Sequence, residues 1–447
     1  MKTDYRLLAW DFSYFSAKVR AYLRFKEFHG ALTYEEVFAT QAIIQGYMIP
    51  ATGSNVVPQV ESASGEWLQD SSEMIDVLEA RHPQAPVVPE GPRQRLVCYL
   101  IELLADEWML PWGFWERWHY SLNDVQPNHE AFNAQQWGRM FAPEQTGLAQ
   151  RQTARFVFRE MMKIDDPQSA EMGPYAGLPQ LGVTEKTEAA WTTSMHNMLA
   201  ILEAHFDQHD YILGGRPTLA DFALLGPLYP HLYKDPVPGF MMRTQYPLIC
   251  EWIERTNGSY EGGSNSYRQT AYQLEEGVLT EFCGASDEGG LLGDDEIPET
   301  LMPLLAVFFK EMWPVLKSST EVLSNYIEDA QSDALPFKSF YSPAQFRDLQ
   351  SKGGALSHEF EIGGIREFRM VSPYQVWMLG RLSDAMVSSF DDASEAAVLK
   401  TMLSYFDGGS EILDLPERLK GCRLRKHFEQ LFLLRSDSVT NSGENNV

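Results

Sequence analysis

The stretch from His82 to Pro92, HPQAPVVPEGP, separates two segments whose apolar residues repeat with different periods. Proline removes an amide donor and turns the residue before it away from helix, so no single element runs through it. Ahead of it the pattern alternates between strand and helix. Residues 5–10 read as a short strand. Residues 14–28 carry Val19, Tyr22, Leu23 and Phe25 at helical spacing. Residues 34–39 form a second strand, and residues 56–62 and 66–69 a hairpin linked around Ser64–Gly65. A helix comes next, opened by Asp70 and Ser71 and closed by Arg81, His82 and Pro83. That order predicts an α/β layer around a small mixed sheet over residues 1–85.

Behind the prolines, residues 93–257 read as wholly helical, with clear amphipathic segments at 93–110, 187–208, 218–233 and 246–258. The chain has 447 residues, too many for one core, so a further region is expected at 258–435. Its first part, to 295, is a Gly-, Ser- and Asp-rich loop with a weak helix near Tyr267–Phe282. The cluster Asp294–Asp295–Glu296 is either solvated loop or a helix N-terminal flank. Residues 298–330 predict a long helix kinked at Pro314. The alternation around Gly363–Gly364 predicts a β-hairpin. A helix starts at Ser372 as cap and Pro373 as first position, and two more helices are expected near 392–406 and 422–434. This extension is thus mainly helical with one β-hairpin. Residues 436–447 have the composition of a disordered tail.

Composition narrows the function classes. A net charge of −26 repels nucleic acid and anionic lipid, so neither nucleic acid nor membrane is an expected partner. No apolar run approaches the ~18–20 residues of a membrane span, and the first residues lack a signal-peptide layout, so a cytoplasmic protein is expected. The cysteines Cys98, Cys250, Cys283 and Cys422 are scattered without a CxxC pair, which argues against a disulfide framework or zinc site. His119 and His196 lack metal-ligand spacing, so no metal is expected.

Three local patterns can carry chemistry. In WDFSYFSAKVR a strand end turns into a helix at Ser13. A hydroxyl there can donate to a ligand sulfur, and the free N–H groups of the helix start favour a thiolate over a thiol of ordinary pKa ~8.5. Alternatively, Ser13 only caps the helix. Val57–Pro58 precedes a strand. A cis bond there would aim the Val57 backbone outward to pair with a peptide-like ligand, whereas an ordinary trans proline would be a turn device. Asp70 and Ser71 at a helix start can hold an ammonium and a carboxylate, or act as a plain cap.

In this order the patterns resemble the glutathione transferase superfamily. The family's S-P-[FY]-x-x-[KR]-V-R turn looks like Ser13-Tyr14-Phe15-Ser16-Ala17-Lys18-Val19-Arg20. Its cis-proline strand looks like residues 52–60, and its E-S-x-x-I helix start like Asp70-Ser71-Ser72-Glu73-Met74-Ile75. Its capping-box motif looks like residues 213–222, with Thr218 as cap and Asp221 returning the bond. The resemblance implies a thioredoxin-like glutathione-binding domain at 1–85 and an all-helical substrate domain at 93–257. Ser13 would steer the glutathione sulfur, Val57 and Pro58 would present backbone to the cysteinyl part, and Asp70 and Ser71 would hold the γ-glutamyl end. Tyr14 and Tyr5 are alternative thiolate donors. Tyr14, Trp108, Trp112 and Trp115 would line the pocket for an apolar electrophile. Glutathione is the implied co-substrate, and a homodimer the implied assembly.

Tyr14 stands where the family usually has proline, and Asp70 where Glu or Gln is commoner. No Cys occupies position 13, which argues against thiol-transferase chemistry. No Lys, Arg or His matches the family's partner for the glycine carboxylate. The expected activity is attack of glutathione thiolate on an apolar electrophile; a non-catalytic binding or interaction protein on the same fold is the alternative.

Overall fold

The computed structural model describes residues 3–122, 125–162, 179–258, 272–281, 290–328, 330, 332–338 and 356–434. Two compact units divide the chain: Met1–Tyr175 with Met195–Met302, and Ala176–Ser194 with Pro303–Val447. The expected tail 436–447 and Cys283 lie outside the described residues.

The first unit opens with β1 (Tyr5–Ala9), α1 (Tyr14–Phe28) and β2 (Tyr34–Phe38). A helical stretch, α2, covers residues 41–52, and β3 (Gln59–Ser62), β4 (Trp67–Gln69) and α3 (Ser71–Arg81) complete the domain. The sheet order is β2-β1-β3-β4. β1 runs parallel to β2 and antiparallel to β3, and β3 antiparallel to β4. This is the expected thioredoxin-like layer. Central placement of β1 agrees with its sequence: Leu7, Leu8 and Ala9 are all buried, as a strand covered on both faces requires.

The helical domain begins with α4 (Pro92–Leu103), which passes through a π turn at Leu104–Trp108 into α5 (Leu110–Leu122). Then come α6 (Glu130–Phe141), α7 (Gly147–Met162), α8 (Glu188–Phe206), α9 (Leu219–Leu228), α10 (Pro236–Gln245) and α11 (Pro247–Thr256). Every residue of α9 is buried, so it is the central helix of this layer. Its start is the expected capping box. One Asp221 oxygen accepts from the Thr218 N–H at 2.9 Å and from its hydroxyl at 3.0 Å. The other accepts from the Ile212 N–H at 3.0 Å and Trp252 Nε1 at 3.1 Å. Burial pushes the Asp221 carboxyl up to about 6, opposed by these same donors.

Segment 290–296 also belongs to this unit. Asp295 accepts from the Arg93 and Gln94 N–H groups at 2.8 and 2.9 Å. It thereby caps α4, whose own N-cap, Gly91, has no side chain to do so. Of the acidic cluster, Asp295 flanks a helix N-terminus, on a helix about two hundred residues upstream, while Asp294 and Glu296 are exposed.

The weak helix expected near 267–282 is instead a hairpin of β5 (Tyr272–Glu275) and β6 (Val278–Glu281). Glu276 and Gly277 both have positive φ, 49° and 83°, which is the two-residue turn that matches strand twist.

In the second unit α12 (Met302–Val307) leads through a π turn at Phe308–Met312 into α13 (Trp313–Glu328). The break expected at Pro314 therefore takes the form of a widened turn just before the proline, which absorbs the missing N–H. Pro50 and Pro111 come after π turns in the same way. β8 (Ser357–Ile362) and β9 (Ile365–Met370) form the expected hairpin around Gly363–Gly364. Next are α14 (Pro373–Asp391), with Ser372 as N-cap, and α15 (Ala393–Leu403). The helix expected at 422–434 is two strands, β10 (Leu424–His427) and β11 (Gln430–Leu433). β10 and β11 pair as an antiparallel hairpin, and β11 also pairs with β7 (Ala334–Lys338), so strand pairing overrides the local helical spacing. The extension thus holds helices and more strands than one hairpin supplies.

Replacing Asp221 with Ala leaves three buried N–H donors without their acceptor. We expect a loss of about 2–5 kcal/mol in urea unfolding. A midpoint equal to wild type would contradict the capping role.

Candidate active site

Ser13 stands between the C-terminal end of β1 and the first turn of α1. Its N–H donates to Trp10 O at 2.9 Å, closing a tight turn. Its φ and ψ, −88° and 134°, are those of an N-cap, and its Oγ accepts weakly from the Ser16 N–H at 3.4 Å. The same hydroxyl donates to Val57 O at 3.5 Å, at the outer limit of a hydrogen bond. It is thus half-buried and loosely held on both sides.

The Val57–Pro58 bond is cis. The loop before it is fixed from beneath: Gln59, fully buried, donates through Nε2 to Ser54 O at 3.2 Å and Val56 O at 3.0 Å. Because Leu8 pairs with Gln59 and Gln59 with Gln69, the end of β1, the start of β3 and the end of β4 share one edge of the sheet. Ser13, the cis-proline loop and Asp70–Ser71 therefore gather at that edge, with the N-termini of α1 and α3.

Asp70 is the N-cap of α3, accepting from the Ser72 and Glu73 N–H groups at 3.1 and 3.3 Å. Its φ of 85° lies in the left-handed region, a conformation that costs a non-glycine residue about 1–3 kcal/mol and clusters at functional sites. Ser71 is the first residue of the helix and is buried.

Beneath the site lies a buried network built on residues of two of the motifs, Lys18 and Ser72. Lys18, fully buried on α1, donates to Ser72 Oγ at 3.0 Å, Glu102 Oε1 at 2.7 Å and Asp106 Oδ2 at 2.6 Å. Ser72 Oγ donates onward to Glu102 at 2.8 Å. Burial raises the Asp106 carboxyl while Lys18 pulls it down. The basic position of the Ser-turn motif is thus a structural staple joining α1, α3 and the α4–π-turn segment.

The aromatic residues divide. Tyr14 donates its hydroxyl to Ala105 O at 2.5 Å, and burial raises its pKa well above the ordinary value, with Asp106 and Glu107 adding to it. That leaves Ser13 as the hydroxyl at the turn. Tyr5 is a β1 residue whose OH bonds to His82 Nε2 at 2.9 Å. Trp108 and Trp112 are fully buried, and Trp115 stacks on His119 with ring centroids 4.4 Å apart. These three lie in the packed interior of the helical domain. Next to the turn stands a different group. Trp10 and Phe12 pack with partly buried Val57, Phe132 and Trp137; the Trp10 and Trp137 rings are 4.9 Å apart. Phe132 and Trp137 lie on α6, whose sequence offered helical pattern but no motif.

Among the described residues no group of His, Cys, Asp and Glu is arranged to hold a metal. Cys98, Cys250 and Cys422 are buried free thiols. Among the described residues no helix is long and apolar enough to cross a membrane.

With this geometry in place, comparison with known proteins gives the class. Residues 7–86 match the family described as Glutathione S-transferase, N-terminal domain, and residues 173–259 the one described as Glutathione S-transferase, C-terminal domain. Through these two matches residues 7–86 and 173–259 belong to the glutathione transferase superfamily. A search of curated proteins finds no match. Similar solved structures include a glutathione S-transferase from Rhodospirillum rubrum F11, 17% identical over 56% of this chain and 86% of that one, TM-score 0.34. The beta-etherase LigF from Sphingobium sp. strain SYK-6 is 17% identical over 57% and 95%, TM-score 0.38. FzlA from C. crescentus is 14% identical over 56% and 86%, TM-score 0.33.

Removing the buried cation leaves two buried carboxylates facing each other. Lys18→Met is expected to lower stability by about 3–5 kcal/mol, read in urea unfolding. Adding Glu102→Gln should recover part of the loss. A single variant as stable as wild type would contradict the staple.

Proposed function

We propose that this protein is a glutathione transferase-like enzyme in which Ser13 keeps the sulfur of bound glutathione anionic for attack on an apolar electrophile. The observation that carries the reading is the meeting of the Ser13 hydroxyl with the cis Val57–Pro58 loop at the N-terminus of α1. The Val57 backbone would pair with the cysteinyl part of glutathione, placing its sulfur at the Ser13 turn. Asp70 would take the γ-glutamyl ammonium and Ser71, at the N-terminus of α3, its carboxylate. The local helix termini supply the positive potential that a chain of net charge −26 otherwise denies an anionic ligand. Val57 and the rings of Trp10, Phe12, Phe132 and Trp137 suit a flat apolar electrophile. Thiolate attack is the step common to conjugation, thiol-assisted isomerisation, ether cleavage and dehalogenation.

A second reading, a non-catalytic binding protein on the same fold, draws on the packing of Phe132 and Trp137 close to the turn. Titration calorimetry separates the two: heat on adding millimolar glutathione supports the first, and its absence the second.

Steady-state assays with glutathione and generic aryl and epoxide electrophiles test Ser13 directly. Ser13→Ala is expected to lower turnover about 10- to 100-fold at neutral pH, the effect of a thiol pKa raised by one to two units. The deficit should shrink as pH rises above ~9, where glutathione ionises unaided. Equal rates at neutral pH would remove Ser13 from the mechanism.

A further inference from the structure

The turn that presents Ser13 is gripped from the helical domain by a residue that belongs to none of the family-like motifs. Arg117, on α5, is almost wholly buried. Its guanidinium Nη1 donates to Phe12 O at 2.9 Å and lies with its carbon 3.5 Å from the centre of the Phe12 ring. Nε and Nη2 donate to the two oxygens of Asp235 at 2.9 and 3.3 Å. Nη1 also meets His231 Nε2 at 3.1 Å, and Nη2 reaches Pro230 O. Arg117 is itself fixed from behind, where its carbonyl accepts from Ser121 Oγ at 2.5 Å and His129 Nε2 at 3.0 Å.

We propose that Arg117, anchored on Asp235, is the positioning residue of the active-site turn, setting where the Ser13 hydroxyl points. The inference rests on the role proposed for Ser13 with glutathione.

Rigid units transmit the grip. Phe12 C=O and Ser13 N–H belong to a single planar peptide group. Arg117 holds the oxygen of that plane, and Trp10 O accepts from its N–H at 2.9 Å. With the plane fixed at both ends and α1 fixing the chain beyond it, Ser13 keeps little freedom apart from its own χ1. Simple domain adhesion does not need such a group, since packed apolar side chains do as well as a buried ion pair and often better. The guanidinium adds direction: a planar fork of donors aims one of them at one carbonyl. Asp235 is spared for this task. It stands at the N-cap of α10, yet its side chain makes no capping bond and goes to Arg117 instead.

The charged surroundings of the turn are otherwise balanced. Asp11 is held by Arg20 at 3.2 Å, by the Tyr229 hydroxyl at 3.1 Å and by Lys234. Burial, with the nearby Arg117 charge, keeps His231 well below its ordinary pKa and so neutral. Burial beside Asp235 holds the Glu116 carboxyl up at about 8, so it is uncharged at neutral pH. On the opposite face of α1, Lys18 is matched by Glu102 and Asp106, with Asp70 at the start of α3.

The test uses the full-length protein as wild type, Arg117→Lys, Arg117→Met, Asp235→Asn and Ser13→Ala. Lysine keeps the charge and loses the fork, and Asp235→Asn is the mildest change, so at least one variant with wild-type melting is read. Backbone amide exchange without ligand reports the clamp itself. Residues 10–16 are expected to exchange about tenfold faster or more, while α11 keeps its protection. Ultraviolet thiolate absorbance of bound glutathione reports the chemical consequence. Its titration is expected to move up by about one unit, with kcat about tenfold lower at neutral pH and the KM for glutathione changed less than about threefold.

Wild-type exchange over residues 10–16 in a well-folded Arg117 variant would overturn the proposal. So would faster exchange with an unmoved thiol titration, which would reduce Arg117 to a domain staple. If Ser13→Ala titrates like wild type, the reading of Ser13 fails, and the exchange data still decide whether the clamp exists.

Discussion

Three helical elements that build the site meet on one buried ammonium. Lys18 comes from α1, Ser72 from α3, Glu102 from α4 and Asp106 from the π turn at its end. An ion group this deep contributes little net stability compared with an apolar cluster of the same shape, because desolvation offsets most of the attraction. Its value lies in specificity. The ammonium is satisfied only when these groups arrive together, so the two helix starts that face the site take one relative placement. The π turn before Pro111 helps by carrying Asp106 to this point while keeping the helix continuous.

On that frame, the chemistry can be apportioned by size. A helix N-terminus favours a nearby anion by about 0.3–1 kcal/mol. A hydrogen bond to a charged group is worth roughly 1.5–3 kcal/mol, and one pKa unit corresponds to about 1.36 kcal/mol. On the proposed reading, the terminus of α1 alone would lower a bound thiol by less than one unit, and the Ser13 hydroxyl would supply the larger share. A hydroxyl acts at this scale only if it is aimed, which makes the geometry of the Trp10–Ser13 turn as important as the presence of serine. Its contact with Val57 O is long, 3.5 Å, and easily exchanged for a better acceptor.

The sequence disclosed the features that depend on local residues. The strand–helix alternation of the first domain is legible in its periodicity, and the Thr218–Asp221 box in its spacing. The convergence of Ser13, Pro58 and Asp70 was legible in the order of the motifs. Interactions that depend on distant partners were not disclosed. β11 carries helical spacing in isolation and becomes a strand between β10 and the distant β7, pairing with both. Asp295 caps a helix about two hundred residues away. Lys18 stands in a motif that gives no hint of its burial, and Arg117 looks like an ordinary surface cation, until their carboxylate partners, on other elements, are placed beside them. The ring-rich segment Trp108–Trp115 drew attention by density, yet density of rings marks core as readily as pocket. The rings that pack on Trp10 and Phe12 beside the turn, Phe132 and Trp137, sit in a helix without any telling pattern. The turn Glu276–Gly277 was in principle legible, since a Gly-containing pair between β-forming residues is a hairpin signal that outweighs weak helical spacing.

The most direct measurement is a crystal structure of the protein with glutathione bound. If Ser13 steers the thiolate, the sulfur lies within ~3.5 Å of Ser13 Oγ, the cysteinyl backbone pairs with Val57, and the γ-glutamyl group sits at Asp70 and Ser71. Glutathione bound with its sulfur turned away from Ser13, or that space filled by Phe132 and Trp137 at saturating ligand, would contradict it.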